Sequence, residues 1–171
     1  MKVGLIMGSD SDIPVMKKAL DILDEFGVGY DVMIASAHRT PDVVHQFAAT
    51  ARERGLSCII AGAGMAAHLA GVVASYTTLP VIGVPLVSGS LEGFDALLAI
   101  VQMPSGMPVA TMAVNGSKNA ALFALQICAA SDAELAAKYE AYRKEQARLV
   151  MEKNEKFQET LNERLKAKEQ K

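Results

Sequence analysis

The chain has 171 residues, of which 51% are hydrophobic and 21% are charged. This composition supports one domain with a substantial core and excludes a disordered chain. The net charge of −2 argues against a nucleic-acid-binding protein, which would usually carry a basic excess. No signal peptide precedes the first predicted strand, and no apolar run is long and unbroken enough to cross a membrane. We therefore expect a cytoplasmic protein.

Short apolar segments that favour strands alternate along the chain with amphipathic segments that favour helices. The predicted strands are residues 2–7, 30–35, 58–61, 81–84 and 109–114. The predicted helices are residues 12–26, 40–54, 66–75, 94–101 and 118–130. Because the strands are apolar throughout, we expect a parallel sheet that is covered on both faces. The predicted fold class is α/β, a three-layer, flavodoxin-like, doubly wound parallel sheet followed by a long C-terminal helix.

The C-terminal segment differs from the rest, since it is rich in Glu, Lys, Arg, Gln and Ala. Ser131 and Glu134 have the spacing of a capping box, which predicts the start of a helix. An apolar stripe with helical spacing follows, through Leu135, Tyr139, Tyr142, Leu149, Val150, Phe157, Leu161 and Leu165. A compact sheet domain cannot cover all of this stripe. We therefore divide the chain into a core, residues 1–130, and a helical extension, residues 131–171, that packs on neighbouring subunits.

Ligands of open α/β sheets bind beyond the carboxyl ends of the strands. Five predicted loops lie there, residues 8–12, 36–41, 62–67, 85–93 and 115–118. In the first loop, Gly8, Ser9, Ser11 and Asp12 precede a helix, where hydroxyls and free amides favour an anion such as phosphate. The same residues would also serve as a cluster that only caps the helix, and the local pattern leaves both interpretations open.

The next two loops contain the residues best suited to chemistry. Ser36, His38 and Arg39 follow the second strand. A guanidinium binds phosphate in fork geometry, and a histidine transfers protons near neutral pH. In the third loop, small residues around Gly64 allow a ligand to approach the backbone closely. His68 lies among apolar residues there, so that a hydrogen-bonded core histidine is the alternative to a functional one.

The two cysteines, Cys58 and Cys128, lie in apolar runs and lack the spacing of metal ligands. We expect small buried side chains rather than a disulfide framework or a metal site.

Six segments, considered together, are more specific than any single motif. They are MGSDSD from Met7, SAHRTP from Ser36, IAGAG from Ile60, AAHL from Ala66, LPVIGVP from Leu79 and IVQMP from Ile100. In order and spacing they resemble the N5-carboxyaminoimidazole ribonucleotide mutases of de novo purine biosynthesis, and the resemblance covers about residues 2–130. It implies an isomerase that moves a carboxylate from the exocyclic amine of an aminoimidazole ribonucleotide to a ring carbon. It also implies a flavodoxin-like core, a homo-octamer embraced by its C-terminal helices, no metal or organic cofactor, and no nucleic-acid or membrane partner.

Residue by residue, the resemblance implies that His38 is the catalytic histidine and that His68 is a second histidine near the reacting carboxylate. It matches ribonucleotide-binding positions to a set of loop residues, Ser9, Asp12 and Arg39, with Ser36 beside them. Gly8, Ser11 and Gly64 complete the predicted substrate-binding residues. In the implied reaction the carbamate loses CO2 and the ring carbon then attacks the same CO2, while a histidine moves the protons.

Some residues depart from the family's pattern. Met65 stands where the family usually has Gly, Ala70 stands where it usually has Pro, and the turn at 115–119 is shorter than in some relatives. These departures concern the shape of the pocket rather than the fold.

Three other functions stay open: a carboxylase that uses dissolved CO2 directly, a non-enzymatic nucleotide or flavin carrier, and a structural oligomer. The setting of His68, and Arg39 in place of a lysine, favour the mutase over the carboxylase. The scarcity of aromatic residues argues against a stacked flavin. The placement of His38 beside Arg39 is unexplained by a purely structural role.

Overall fold

The computed structural model describes residues 1–169, and its centre is a five-stranded parallel sheet. The strands are β1 (Lys2–Met7), β2 (Gly29–Ile34), β3 (Leu56–Gly64), β4 (Val81–Leu86) and β5 (Ala110–Thr111). Their order across the sheet is β2-β1-β3-β4-β5, which is the flavodoxin-like, doubly wound order. The predicted fold class is therefore confirmed.

Helices cover both faces of the sheet. They are α1 (Ile13–Phe26), α2 (Pro41–Ala49), α3 (Leu69–Tyr76), α4 (Phe94–Val101), α5 (Ser117–Ala129) and α6 (Ala133–Glu169). The packing of buried residues places α1 and α5 on one face and α2, α3 and α4 on the other. Within residues 1–169, no helix is both long and apolar enough to span a membrane.

Two hydrophobic clusters, one on each face, form the core. Leu5 and Ile6 are neighbours on β1, yet Leu5 joins the cluster under α1 and α5 while Ile6 joins the other. This alternation follows from the two-residue period of a strand. Each such fully buried aliphatic side chain contributes about 1.5–3 kcal/mol. Cys58 and Cys128 are both buried in the first cluster, as predicted.

The edge strand β2 departs from the expected two-sided cover. Val32 and Ile34 remain 42% and 47% exposed. Asp31, on the same strand, accepts hydrogen bonds from Lys2 and Arg54 at 2.5 Å each, and the ion pair with Lys2 lowers the pKa of its carboxyl group. Charged side chains of this kind discourage strand pairing at a free sheet edge.

The helix predicted to reach residue 54 instead ends at Ala49. Thr50 Oγ1 donates to the Gln46 carbonyl at 2.8 Å, and Arg54 Nη2 donates to the Phe47 carbonyl at 2.5 Å. Because side chains satisfy these terminal carbonyl groups, the backbone turns towards β3 instead of continuing the helix.

Other boundaries shift by smaller amounts. A short 3₁₀ turn at Asp10–Asp12 precedes α1, and α3 begins at Leu69 because residues 66–68 belong to the loop. The strand β3 is longer than predicted, whereas β5 is limited to two residues. Beyond β5 the chain still runs beside β4, where the Met112 and Asn115 backbone N–H groups donate to the Gly83 and Pro85 carbonyls. The chain advances three residues between these two bonds while β4 advances two, so the regular strand pairing ends there.

The predicted capping box at the start of α6 does not form. Asp132 caps the helix by accepting the Leu135 backbone N–H at 3.0 Å, whereas Ser131 bonds to the Cys128 carbonyl. Leu135 is buried in the core, and Tyr142 packs on Phe26 with the ring centroids 5.5 Å apart. The start of α6 therefore belongs to the chain's own core.

The distal part of α6 has no such cover. Of its predicted stripe, the side chains Leu149, Val150, Phe157 and Leu165 are 36%, 63%, 61% and 49% exposed. A second uncovered apolar surface, the α4 face, lies at helical spacing along α4 and the turn before it. It consists of Leu91, Phe94, Leu98 and Val101.

Candidate active site

A cavity of about 510 Å³ lies at the carboxyl edge of the sheet. The loops after β1, β2, β3 and β4 form its walls. All the residues predicted for the site line it: His38, His68, Gly8, Ser9, Ser11, Asp12, Ser36, Arg39 and Gly64. The strand order brings these residues together, because β1 lies between β2 and β3 and all three strands end at the same edge of the sheet.

The loop after β1 is hydrogen-bonded within itself. Asp12 Oδ2 accepts the Ser9 backbone N–H at 3.0 Å, and Ser9 Oγ accepts the Ser11 backbone N–H at 3.3 Å. The capping interpretation is thus realised. Two further bonds of 3.0 Å hold the serine hydroxyls at the cavity wall: Ser9 Oγ donates to Asp10 Oδ1, and Ser11 Oγ donates to Ser9 Oγ. Burial raises the pKa of Asp12, and the hydrogen bond from Ser9 opposes that rise.

The loop after β2 is fixed in a similar way. Thr40 Oγ1 accepts the Ser36 backbone N–H at 2.9 Å, and Ser36 Oγ accepts the Arg39 backbone N–H at 3.2 Å. Arg39 Nη2 donates to the Gly8 carbonyl at 3.4 Å, which joins this loop to the loop after β1. The guanidinium retains further N–H donors, so that it can bind an anion beside the two serine hydroxyls.

The two histidines of the cavity are in direct contact. His38 Nε2 lies 2.7 Å from His68 Nδ1, and the rings meet edge to face with centroids 4.8 Å apart. Both side chains are exposed to the cavity, so His68 is not a core histidine. A hydrogen bond between two imidazoles requires one protonated and one bare nitrogen. The pair can therefore hold one proton between its rings and pass it on.

The loop after β3 is strained, unlike the loops after β1 and β2. Met65 and Ala67 have φ angles of 54° and 46°, in the left-handed region that non-glycine residues avoid. Each such residue costs about 1–2 kcal/mol. The glycine that the family usually has at position 65 would remove this cost, whereas Met65 instead presents a side chain that is 60% exposed at the cavity.

The loop after β4 contributes a residue that the sequence analysis did not single out. Ser88 lines the cavity, and the adjacent Val87 backbone N–H donates to Asn115 Oδ1 at 3.1 Å. Ligands bind beyond the carboxyl ends of the strands, which points to the loops at residues 85–93 and 115–118. Nothing in the sequence of the first loop distinguishes Ser88 from Ser90. Across residues 1–169, no group of three or more His, Cys, Asp and Glu side chains is arranged to hold a metal ion.

Comparison with known proteins gives consistent similarities. The family model described as AIR carboxylase matches residues 2–149. A Pyrococcus horikoshii protein named N5-carboxyaminoimidazole ribonucleotide mutase is 57% identical over 157 residues, which cover 92% of this chain and 89% of that protein. A Bacillus subtilis protein of the same name is 54% identical over 157 residues, which cover 91% of this chain and 97% of that protein. The crystal structure of Treponema denticola PurE has a TM-score of 0.80 at 31% identity, covering 91% of this chain and 97% of that one.

Proposed function

The chain belongs to the AIR carboxylase family, and we propose that it is an isomerase of de novo purine biosynthesis. It converts N5-carboxyaminoimidazole ribonucleotide to 4-carboxy-5-aminoimidazole ribonucleotide in the cytoplasm. The observation that carries this proposal is the 2.7 Å contact between His38 and His68 in the cavity that also holds Arg39. The names of the relatives at 57% and 54% identity support the same reaction.

The substrate phosphate binds where the loops after β1 and β2 meet. Arg39 supplies positive charge. The Ser9 and Ser11 hydroxyls donate to Asp10 Oδ1 and to Ser9 Oγ at 3.0 Å each, and each rotates to donate to the phosphate when it binds. Asp12 accepts hydrogen bonds from the ribose hydroxyls. Anchoring the ligand at its phosphate orients the imidazole ring without hindering the reacting atoms.

The histidine pair moves the one proton that the isomerisation requires. The carbamate C–N bond breaks, CO2 leaves, and the nitrogen takes a proton from the pair. The ring carbon then forms a C–C bond to the same CO2 and loses its proton to the pair, which is restored. His38 transfers the proton to and from the substrate, and His68 holds the neighbouring position in the relay.

The released CO2 needs a site that is small and poor in water. The loop after β3 supplies backbone and methyl groups at Ala63, Gly64, Ala66 and Ala67, all of which line the cavity. Such a wall retains CO2 beside the ring and limits its escape into solvent.

The test is an assay on purified, metal-free protein with two substrates, the carbamate ribonucleotide and aminoimidazole ribonucleotide with bicarbonate. We expect isomerisation of the carbamate, and we expect His38→Asn to lower turnover by about 10²- to 10⁴-fold. His45→Asn is the matched control, because His45 lies on α2 outside the cavity. Turnover only of the bicarbonate mixture would instead identify a direct carboxylase, and nucleotide binding without any turnover would identify a carrier.

We further propose that the chain forms a homo-octamer in which the distal part of α6, from Leu149 to Leu165, packs on neighbouring subunits. Support comes from the uncovered apolar side chains of distal α6 and from the α4 face. Contiguous exposed apolar side chains on a monomer usually mark an interaction surface.

Light scattering tests the assembly. We expect a particle of eight times the chain mass for the wild type and smaller particles for Phe157→Glu, which places a charge in the stripe. Asn162→Glu, at an exposed position five residues further along and therefore on the other side of the helix, makes the same charge change and should keep the full mass. A monomeric wild type would refute the assembly without affecting the proposed reaction.

A further inference from the structure

Ser88 stands at the far wall of the cavity from the phosphate-binding loops. The sheet order places β4 two strands away from β1, with β3 between them. Adjacent strands are about 4.8 Å apart, so Ser88 lies roughly 10 Å from the loop after β1. A ligand that is anchored by its phosphate at that loop therefore presents its opposite, reacting end to Ser88.

The Ser88 side chain packs closely against the backbone of the loop that carries His68. A Cβ atom added to Gly64 would lie 2.7 Å from Ser88 Cβ, so that only glycine at position 64 leaves room for it. Ser88 is half-buried, and within residues 1–169 its hydroxyl has no hydrogen-bond partner. The hydroxyl is thus a free donor beside the backbone and methyl groups of Gly64, Ala66 and Ala67.

Asn115 holds the Ser88 backbone in place from outside the cavity. Its backbone N–H donates to the Pro85 carbonyl at 2.8 Å, and its Oδ1 accepts the Val87 N–H at 3.1 Å. Asn115 has a φ of 57°, in the left-handed region where asparagine is favoured over most residues. The two bonds fix the chain on either side of Leu86, directly before Ser88.

We propose that Ser88 binds the carboxylate of the ligand and selects carboxylated over uncarboxylated aminoimidazole ribonucleotide, with Asn115 as its positioning residue. This inference rests on the proposed function. The hydroxyl donates to a carboxylate oxygen, which is a charge-assisted hydrogen bond that an uncarboxylated ring cannot form.

The experiment measures the dissociation constants of two nucleotides by calorimetry, 4-carboxy-5-aminoimidazole ribonucleotide and 5-aminoimidazole ribonucleotide. We expect Ser88→Ala to raise the dissociation constant of the carboxylated nucleotide about tenfold and to change that of 5-aminoimidazole ribonucleotide by less than about twofold. Equal weakening of both, or no weakening of either, would overturn the role of Ser88. Ser90→Ala, in the same loop but outside the cavity, is the control.

The two proposals fail in different ways. A wild-type protein that binds neither nucleotide refutes the proposed function and this inference together. A wild-type protein that binds and isomerises while Ser88→Ala binds both nucleotides normally refutes only the inference.

Two substitutions at Asn115 test its part. Asn115→Gly tolerates the positive φ but removes the acceptor for the Val87 N–H. It should raise the dissociation constant of the carboxylated nucleotide by about threefold. Asn115→Asp keeps an oxygen acceptor and should restore binding. Equal loss in both variants, or loss for both nucleotides, would show that Asn115 does not act through Ser88.

Discussion

The cavity has two sides that are built in contrasting ways. Its anchoring side, residues 8–12 and 36–40, is hydrogen-bonded within itself and contains no non-glycine residue at positive φ. Its reacting side, residues 64–69 with Val87 and Ser88, holds Met65 and Ala67 in the left-handed region and carries His68. The contrast indicates that local hydrogen bonds suffice to prepare an anion site, whereas placing His68 against His38 requires backbone that is held under strain by the surrounding fold.

The largest effect that separates the two sides is expected at His68. We expect His68→Ala to lower kcat by about 10²-fold, because His38 loses its relay partner, while KM stays within threefold. Steady-state kinetics across the pH range checks this, since loss of the partner should also change the shape of the pH profile. A raised KM with unchanged kcat would place His68 on the anchoring side instead.

Arg39 should show the opposite pattern. We expect Arg39→Met to weaken binding of ribose 5-phosphate by about tenfold, because one charge-assisted phosphate contact is lost, with kcat at saturation within threefold. Calorimetry measures the affinity, and Arg52→Met is the matched control because Arg52 bonds to Thr78 away from this cavity. An unchanged affinity would remove the phosphate site from the anchoring side.

The strain of the reacting side can be measured at Met65. We expect Met65→Gly to be more stable than Met65→Ala by about 1 kcal/mol, because alanine retains the unfavourable positive φ and glycine does not. Urea unfolding gives both free energies, and the alanine variant controls for the lost thioether. Equal stabilities would mean that the left-handed backbone at position 65 carries no cost.

The anchoring side has an electrostatic cost of its own at Asp12. Burial raises the folded-state pKa of Asp12 above its ordinary 3.8. Its contribution to stability is therefore fully present below that value and is lost as the pH rises through the folded pKa. Asp12→Asn stays neutral, so its stability relative to the wild type should increase from about pH 3 to pH 7. A relative stability that falls over this range would contradict the raised pKa.

The sequence predicts the anchoring side well because the bonds within each of its two loops join residues at most four positions apart. Ser9 with Asp12 and Ser36 with Thr40 are local pairs. The parallel sheet and the helices on both of its faces also follow from the alternation of apolar segments, whereas the strand order is one choice among several that this alternation allows. The length of β5 and the capping box at Ser131 differ from the prediction. The end of α2 also differs, because the Arg54 side chain that satisfies its last carbonyls folds back from beyond the helix.

The reacting side depends on information that residue types do not carry. His38 and His68 are 30 positions apart, and Val87 and Asn115 are 28 apart, so that only the assembled sheet brings each pair together. A positive φ at Met65 runs against the preference of its residue type. Backbone strain that the tertiary structure imposes cannot be predicted from a local sequence pattern.

The helix α6 has 37 residues, which at 1.5 Å per residue is a rod of roughly 55 Å. Beyond Tyr142 it lacks the tertiary packing on which most protein helices depend. Ion pairs such as Glu140 with Lys144 are exposed to solvent and therefore stabilise it little. In the proposed octamer, folding of this distal segment is coupled to encounter between chains. Its far-UV circular dichroism and melting temperature should then rise with protein concentration, while the sheet domain unfolds independently of dilution.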